Sequence, residues 1–170
     1  MGQATQQTYF IYPTPMGRIT LASNGVALTQ LAFGAVELPG DQMPTALTNE
    51  AANQIQEYLA GKRKVFDLPL DPAGTDFQKR VWQALQTIPY GQTCSYQDVA
   101  CMIGNPKALR AVGGANNKNP LLILIPCHRV IGSNGDLVGY AAGLKIKRFL
   151  LGLEQRYSND TNDPNTEERI

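Results

Sequence analysis

The first third of the chain places its apolar positions in short β-rich runs, Thr8–Tyr12, Arg18–Ser23 and Ala27–Phe33. Pro13–Gly17 and Asn24-Gly25 separate them with turn residues. Asn-Gly between two such runs is the strongest short-range hairpin signal. Gly34–Thr45, broken by Pro39, Gly40 and Pro44, reads as a loop. From Leu47 to Leu59 the spacing is helical, with Ala51, Ile55, Tyr58 and Leu59 on one side and Gly61 as a stop.

Phe66–Pro72 breaks this pattern and marks a domain junction. Thr75-Asp76-Phe77-Gln78 has the form of a capping box, opening a helix with Phe77, Val81, Trp82 and Leu85 as its core stripe. Two short helices in tandem come next. Ser95 caps the first, Tyr96–Ile103; Gly104-Asn105 is the turn; Asn105 caps the second, with Pro106 at its first position and its end near Ala115. Such a pair suggests a helix-turn-helix, although any αα-hairpin has the same pattern. Residues 116–120 read as a polar loop, and Leu121–Ile125 as a buried strand ahead of Pro126 and Cys127-His128-Arg129-Val130. A turn at 132–136 and a small-residue loop at 139–143 lead to a last helix, Leu144–Gln155, with Ile146, Phe149, Leu150 and Leu153 buried. The expected organisation is a sheet-and-helix domain at 1–73, a mostly helical domain at 74–156, and a polar, disordered tail at 157–170.

No apolar stretch approaches the ~20 residues that span a bilayer, and the N-terminus has no basic region followed by an apolar core. The expectation is a soluble, cytoplasmic protein without membrane association. Cys94, Cys101 and Cys127 form an odd set without metal-finger spacing, and His128 is the single histidine. The N-terminal domain has neither Cys nor His, so no metal site is expected. Charge is uneven: residues 74–154 carry nine basic against four acidic side chains, residues 1–73 four against six. A basic half suits a phosphate-contacting surface or a solvated face.

Cys127, just past a buried run and beside His128 and Arg129, reads as a poised thiol whose thiolate is the nucleophile. Neighbouring side chains on an extended strand point to opposite faces, so a direct Cys127–His128 contact needs a bend or a bridging water. Glu154 is a candidate to orient His128, because Lys147, Leu151 and Glu154 share one helix face; an exposed helix-end carboxylate is the alternative. Ala108, Ala111, Gly113, Gly114 and Ala115 make a helix face nearly free of side chains. Two consecutive glycines cost about 1–2 kcal/mol relative to alanine, which points to close approach, either by a neighbouring helix or by a minor groove with Arg110 as the one long side chain. A cysteine hydrolase is disfavoured by the adjacency of Cys127 and His128. A base-reading regulator is disfavoured by Ala and Gly where reading side chains belong.

Ser95-Tyr96-Gln97, Gly104-Asn105-Pro106-Lys107-Ala108, Arg110-Ala111-Val112-Gly113-Gly114-Ala115, Asn119-Pro120, Ile123–Val130 and Gly143-Leu144 together resemble the O6-alkylguanine-DNA alkyltransferases, over about Thr75–Glu154. The resemblance implies an α/β fold: an N-terminal antiparallel sheet with a helix, ribonuclease H-like, and a winged helix-turn-helix domain carrying the cysteine. It implies stoichiometric transfer of an alkyl group to Cys127 from O6-alkylguanine in duplex DNA, with O4-alkylthymine as a second candidate substrate. His128 would take the thiol proton through a water, with Glu154 fixing the imidazole. Tyr96 would crowd the 3′ phosphate and donate to N3 of the flipped base, whose gap Arg110 would fill. Lys147 and the Ala141 backbone would stabilise the O6 leaving oxygen, the Cys127 and Val130 carbonyls would accept the exocyclic amine, and Asn119 would brace the cysteine turn. Tyr140, Ala141 and Ala142 would line the substrate pocket with Val130; Ala142 stands where the family often has Gly, implying a tighter pocket. Leu109 and Asn117 also depart from the family pattern on the DNA-facing surface. No cofactor is implied. The partner would be duplex DNA bound through its minor groove by a monomer, with cooperative assembly on DNA left open. Alkyltransferase-like proteins that flip the base without transfer lack the cysteine, so Cys127 argues against that reading.

Overall fold

In the computed structural model, which describes residues 6–158, β1 (Thr8–Thr14) pairs antiparallel with β2 (Gly17–Ser23), and β2 with β3 (Leu28–Phe33). The hairpin lies where Asn24-Gly25 predicts it, with Ser23 opposite Leu28 and Asn24 Oδ1 accepting from the backbone N of Val26 and Ala27. The expected loop at 34–45 holds a short strand, β4 (Asp41–Gln42), parallel to β1, so the sheet is mixed rather than purely antiparallel, in the order β3-β2-β1-β4. Helix α1 (Ala46–Leu59) opens on Thr45 with a reciprocal cap from Thr48 and buries Ala51, Ile55, Tyr58 and Leu59.

The segment after α1 does not leave the sheet. Leu28 N donates to Pro69 O and Asp71 N to Leu28 O, at 2.9 and 2.8 Å. Further along β3, Leu31 N donates to Pro120 O at 2.8 Å. The edge of β3 thus receives backbone from both sequence halves, and one core runs from Ile19 and Leu21 through Trp82 to Val130 and Leu150. This shared core brings α1 within reach of the C-terminal site.

Helix α2 (Asp76–Leu85) carries the expected capping box, Gln78 N to Thr75 Oγ1 and Thr75 N to Gln78 Oε1 at 3.1 and 3.0 Å. Behind it pack α3 (Tyr96–Met102) and α4 (Leu109–Asn117). Trp82 Nε1 donates to Ala115 O at 2.9 Å, tying α4 to α2. The α3–α4 turn has Gly104 at φ +76°, a left-handed conformation that side-chain-bearing residues adopt only at a cost. Helix α4 starts later than the Asn105-Pro106 pair predicts. Gln97 Nε2 donates to the Pro106 carbonyl that a longer helix would use, and Ala108 is the uncapped N-terminal residue. The helix also ends later, taking in Asn116 and Asn117 from the expected loop.

Leu121–Ile125 is buried as expected, but it is not a strand. Leu121 makes one bridge to Leu31, and the chain then coils, with Ile125 N donating back to Leu121 O at 2.9 Å. Cys127–Arg129 is one 3₁₀ turn, followed by β6 (Val130–Ile131) parallel to β5 (Cys94–Ser95). Helix α5 (Leu144–Ser158) includes Tyr157, whose ring lies against Gly61, so the expected tail does not begin there; residues 159–170 of that tail lie outside the described residues. Among the described residues, no helix is long and apolar enough to cross a membrane.

Candidate active site

The site is built on the coil that precedes Cys127. Asn119 is buried, its Oδ1 accepting from Leu121 N at 2.9 Å and its Nδ2 donating to Ile125 O at 2.8 Å. One side chain thus closes the loop, within which Ile123 sits at φ +71°. A β-branched residue in that region is strained and persists only where its surroundings over-determine it. The 3₁₀ turn Cys127–Arg129 follows, and all three of its side chains are buried.

Cys127 is covered rather than poised at the surface, with 1% of its area exposed. Burial pushes its thiol up to about 11, against the opposing pull of Asn119 and of the Lys147 charge. The other two thiols lie further out, Cys94 half-buried and Cys101 exposed. His128 is fully buried. Burial holds its imidazole below the ordinary histidine value, outweighing the upward pull of Glu154. Its Nε2 lies 2.7 Å from Glu154 Oε2. Burial alone would raise the Glu154 carboxyl, but the donors His128 and Arg129 outweigh it and bring it to about 2. An ionised carboxylate only accepts, so the proton of the neutral ring sits on Nε2. Nδ1 is left buried, with a free lone pair and no partner among the described residues. The pair can receive a proton at one atom, Nδ1, while Glu154 steadies the charge that results.

Lys147 is buried on α5, and its Nζ donates to the carbonyls of Val130, Val138 and Gly139 at 2.6, 3.2 and 3.1 Å. Burial lowers its pKa, and a Cys127 thiolate would raise it again. Tyr96 donates from Oη to Val138 O at 2.7 Å, joining α3 to the 138–139 segment. Tyr140 is buried with a hydroxyl that has no partner among the described residues, and the charges of Cys127 and Glu154 add to the burial that raises its pKa. Ala142 is half-buried and Ala141 exposed. The two carbonyls expected to accept an amine already have donors: Val130 O has Lys147, and Cys127 O has Val130 N. Cys127 O also accepts from Asn116 Nδ2 at 3.5 Å, so an arriving amine replaces one of its donors.

The expected nucleic-acid face lies on α4 and its approach. Arg110, Ala111 and Gly114 are exposed, and Ala108 and Gly113 half-buried. A Cβ built on Gly113 or Gly114 meets no protein atom within 4 Å. Packing on a neighbouring helix, the alternative open from sequence, therefore does not account for these glycines. Arg110 and Gly113 instead line a groove of about 780 Å³ with Tyr96, Lys107, Asn117 and Val138.

Two contacts of the site escape a reading of the sequence, in which Arg129 is expected beside the thiol and Tyr58 in the core of α1. Arg129 donates to Glu154 from Nε at 2.8 Å and Nη2 at 2.9 Å, and from Nη1 to Ile88 O. Tyr58, distant in sequence, donates to Glu154 Oε2 at 2.5 Å. Its only sequence signal is a polar atom in the apolar stripe of α1. Among the described residues, no group of three or more His, Cys, Asp or Glu side chains is placed to hold a metal ion.

Two sequence profiles match the chain: the 6-O-methylguanine DNA methyltransferase ribonuclease-like domain over residues 8–72, and the DNA binding domain of the same family over residues 76–156. The methylated-DNA–protein-cysteine methyltransferase of Methanosarcina barkeri is 53% identical over 152 residues, 86% of this chain and 96% of that protein. The constitutive enzyme of that name from Bacillus subtilis is 45% identical over 86% of this chain and 94% of its own length. The crystal structure of Mycobacterium tuberculosis OGT in complex with DNA superposes with a TM-score of 0.83 at 46% identity, covering 88% of this chain and 94% of that one.

Proposed function

The chain belongs to the 6-O-methylguanine DNA methyltransferase family, and from that premise we propose that it repairs DNA by moving an alkyl group from O6 of guanine onto Cys127. The observation that carries the assignment to this residue is a buried thiol followed by an imidazole with Nε2 fixed by Glu154 and Nδ1 without a partner among the described residues. It is a methylated-DNA–protein-cysteine methyltransferase, acting once per molecule. The separate profile matches support a division into a domain at 1–73 and a DNA-binding, alkyl-accepting domain at 74–156.

In the proposed step, His128 takes the thiol proton at Nδ1 through a water, and the sulfur attacks the alkyl carbon. The S–C bond forms as the C–O6 bond breaks, and the electron pair of that bond leaves on the guanine. Tyr96 donates to N3, and Lys147 and the Ala141 backbone stabilise O6. The donors of Lys147 and Tyr96 now hold the 138–139 segment, so substrate entry exchanges those contacts for contacts to the base. Electrons and protons balance without a cofactor. The thioether product has no route back to a thiol, which fixes the stoichiometry at one.

A base inside a duplex must leave the stack to reach this depth, at a cost of a few kcal/mol that is lowest for a poorly paired base. We assign duplex contact to the minor groove, where the bare face of α4 lets the backbone approach and Arg110 occupies the gap. O4-alkylthymine is the second substrate candidate, and the working unit a cytoplasmic monomer. Replacing Gly114 with leucine tests this face. The new side chain points into open space and leucine is the better helix former, so thermal stability should hold or rise. Affinity for duplex should fall at least about tenfold, the order of one misfitted contact. Undiminished affinity in a titration would remove α4 from the interface.

Intact-mass spectrometry after incubation with excess O6-methylguanine duplex tests the function. One added methylene mass per chain, mapped to the Cys127 peptide, is the expected result. Methyl on another residue, or several bases repaired per chain, would overturn it.

A further inference from the structure

A hydroxyl from the N-terminal half enters the network that holds the proton acceptor. Tyr58, near the end of α1, is fully buried, its ring set between Phe66 and Tyr90 with centroids 5.3 and 6.1 Å away. Its Oη donates at 2.5 Å to Glu154 Oε2, which also accepts from His128 Nε2 at 2.7 Å and Arg129 Nη2 at 2.9 Å. The same Oη lies 3.5 Å from His128 Nε2. Three donors therefore converge on one carboxylate oxygen, and its accepting strength is divided among them.

We propose that Tyr58 is a positioning residue for the transfer: by sharing Oε2 with the imidazole it sets how firmly Glu154 holds the Nε2 proton, and so the basicity of Nδ1 on the far side of the ring. This rests on the reading of His128 as proton acceptor for Cys127. Removing the phenol hydroxyl leaves Oε2 to the imidazole and Arg129, a change that stabilises imidazolium over imidazole. His128 then stays protonated to higher pH, where it cannot accept. The other charged groups that face it are Arg129 on its own turn and Lys147 on α5, both disfavouring imidazolium, with Cys127 adjacent. Tyr140 bears on Cys127 and Glu154, and Tyr90 on Tyr58. Of these, Arg129 and Tyr90 also face the Tyr58 hydroxyl, and each stays in place when it is lost. The N-terminal half would thus tune the chemistry as well as support the fold.

The chain has one histidine, so ¹⁵N-histidine labelling gives one imidazole whose titration is read directly by NMR. Single-turnover transfer from O6-methylguanine duplex is followed over the same pH range. In Tyr58→Phe the imidazole midpoint and the acid limb of the rate profile should both move to higher pH. The acid-side rate constant should fall about two- to tenfold, the worth of one hydrogen bond, with the alkaline plateau within about twofold of wild type. Site-specific 3-fluorotyrosine at position 58, a stronger donor of nearly the same shape, should move both midpoints the other way, and it carries the test if the phenylalanine variant does not fold. Phe66→Leu, which loosens the same ring packing, should lower the melting temperature and leave both midpoints in place. Unmoved midpoints at position 58, or an equal movement in Phe66→Leu, overturn the inference. A wild-type protein that takes no methyl on Cys127 overturns the functional reading instead, however its imidazole titrates.

Discussion

Cys127→Ser is expected to take up no methyl from O6-methylguanine duplex while binding that duplex within about twofold of wild type. A serine hydroxyl is a far weaker nucleophile, and the site offers it a base suited to a thiol. The discriminating power of this experiment comes from the other two cysteines. Ordinary thiol chemistry follows exposure and thiolate content, and on that ground exposed Cys101 should react first and Cys127 last. The proposed directed transfer inverts the order: the least accessible sulfur would be the acceptor because a flipped base would be delivered to it. Uptake that persists in Cys127→Ser, or disappears in Cys101→Ser, would remove Cys127 from its role. Duplex affinity is a separate readout, since Arg110 and Gly113 of α4 line a groove whose lining does not include the thiol.

Much of the fold is legible in the sequence because it is written in local chemistry. The Thr75 capping box, the Ser95 cap and the Asn24-Gly25 hairpin each satisfy backbone groups with neighbours a few positions away, and each is found where expected. The coil before Cys127 was not legible. An apolar run such as Leu121–Ile125 reports burial but not backbone shape, and nothing local announces that Ile123 takes a positive φ. The shape is imposed from outside the run by Asn119. Helix α5 misleads for a related reason. Periodicity assigns Phe149 to the core, yet Phe149 is 47% exposed and the buried stripe is Lys147, Leu150 and Glu154. Two charged residues occupy core positions because their partners are the carbonyls, imidazole and guanidinium of the site, which hydropathy does not register. The pairing of His128 with Glu154, 2.7 Å apart, could be read from the sequence. The third party on Glu154, Tyr58, comes from across the shared core and could not.

His128→Gln is expected to slow transfer at pH 7 by about 10²- to 10⁴-fold, the usual worth of a positioned base, and to change the form of the pH profile. Glutamine keeps an N–H for Glu154, so the carboxylate is not stranded, but it has no atom able to take the thiol proton. In the wild-type protein burial depresses the imidazole, so the ring is neutral at pH 7 and fails as a base only when pH falls below its lowered value. Above that point the rate should be level. Without the base, transfer depends on spontaneous ionisation of a thiol held at about 11, which at pH 7 leaves roughly one thiolate in 10⁴. The variant's rate should then climb about tenfold per pH unit from 7 to 10, gaining on wild type throughout, as expected for a reaction limited by the thiolate fraction. A variant profile parallel to wild type would mean that the proton leaves the sulfur by another route, and His128 would be left as a structural partner of Glu154. A converging profile would place the proton transfer on Nδ1, the one nitrogen of the ring that the fold leaves without a partner among the described residues.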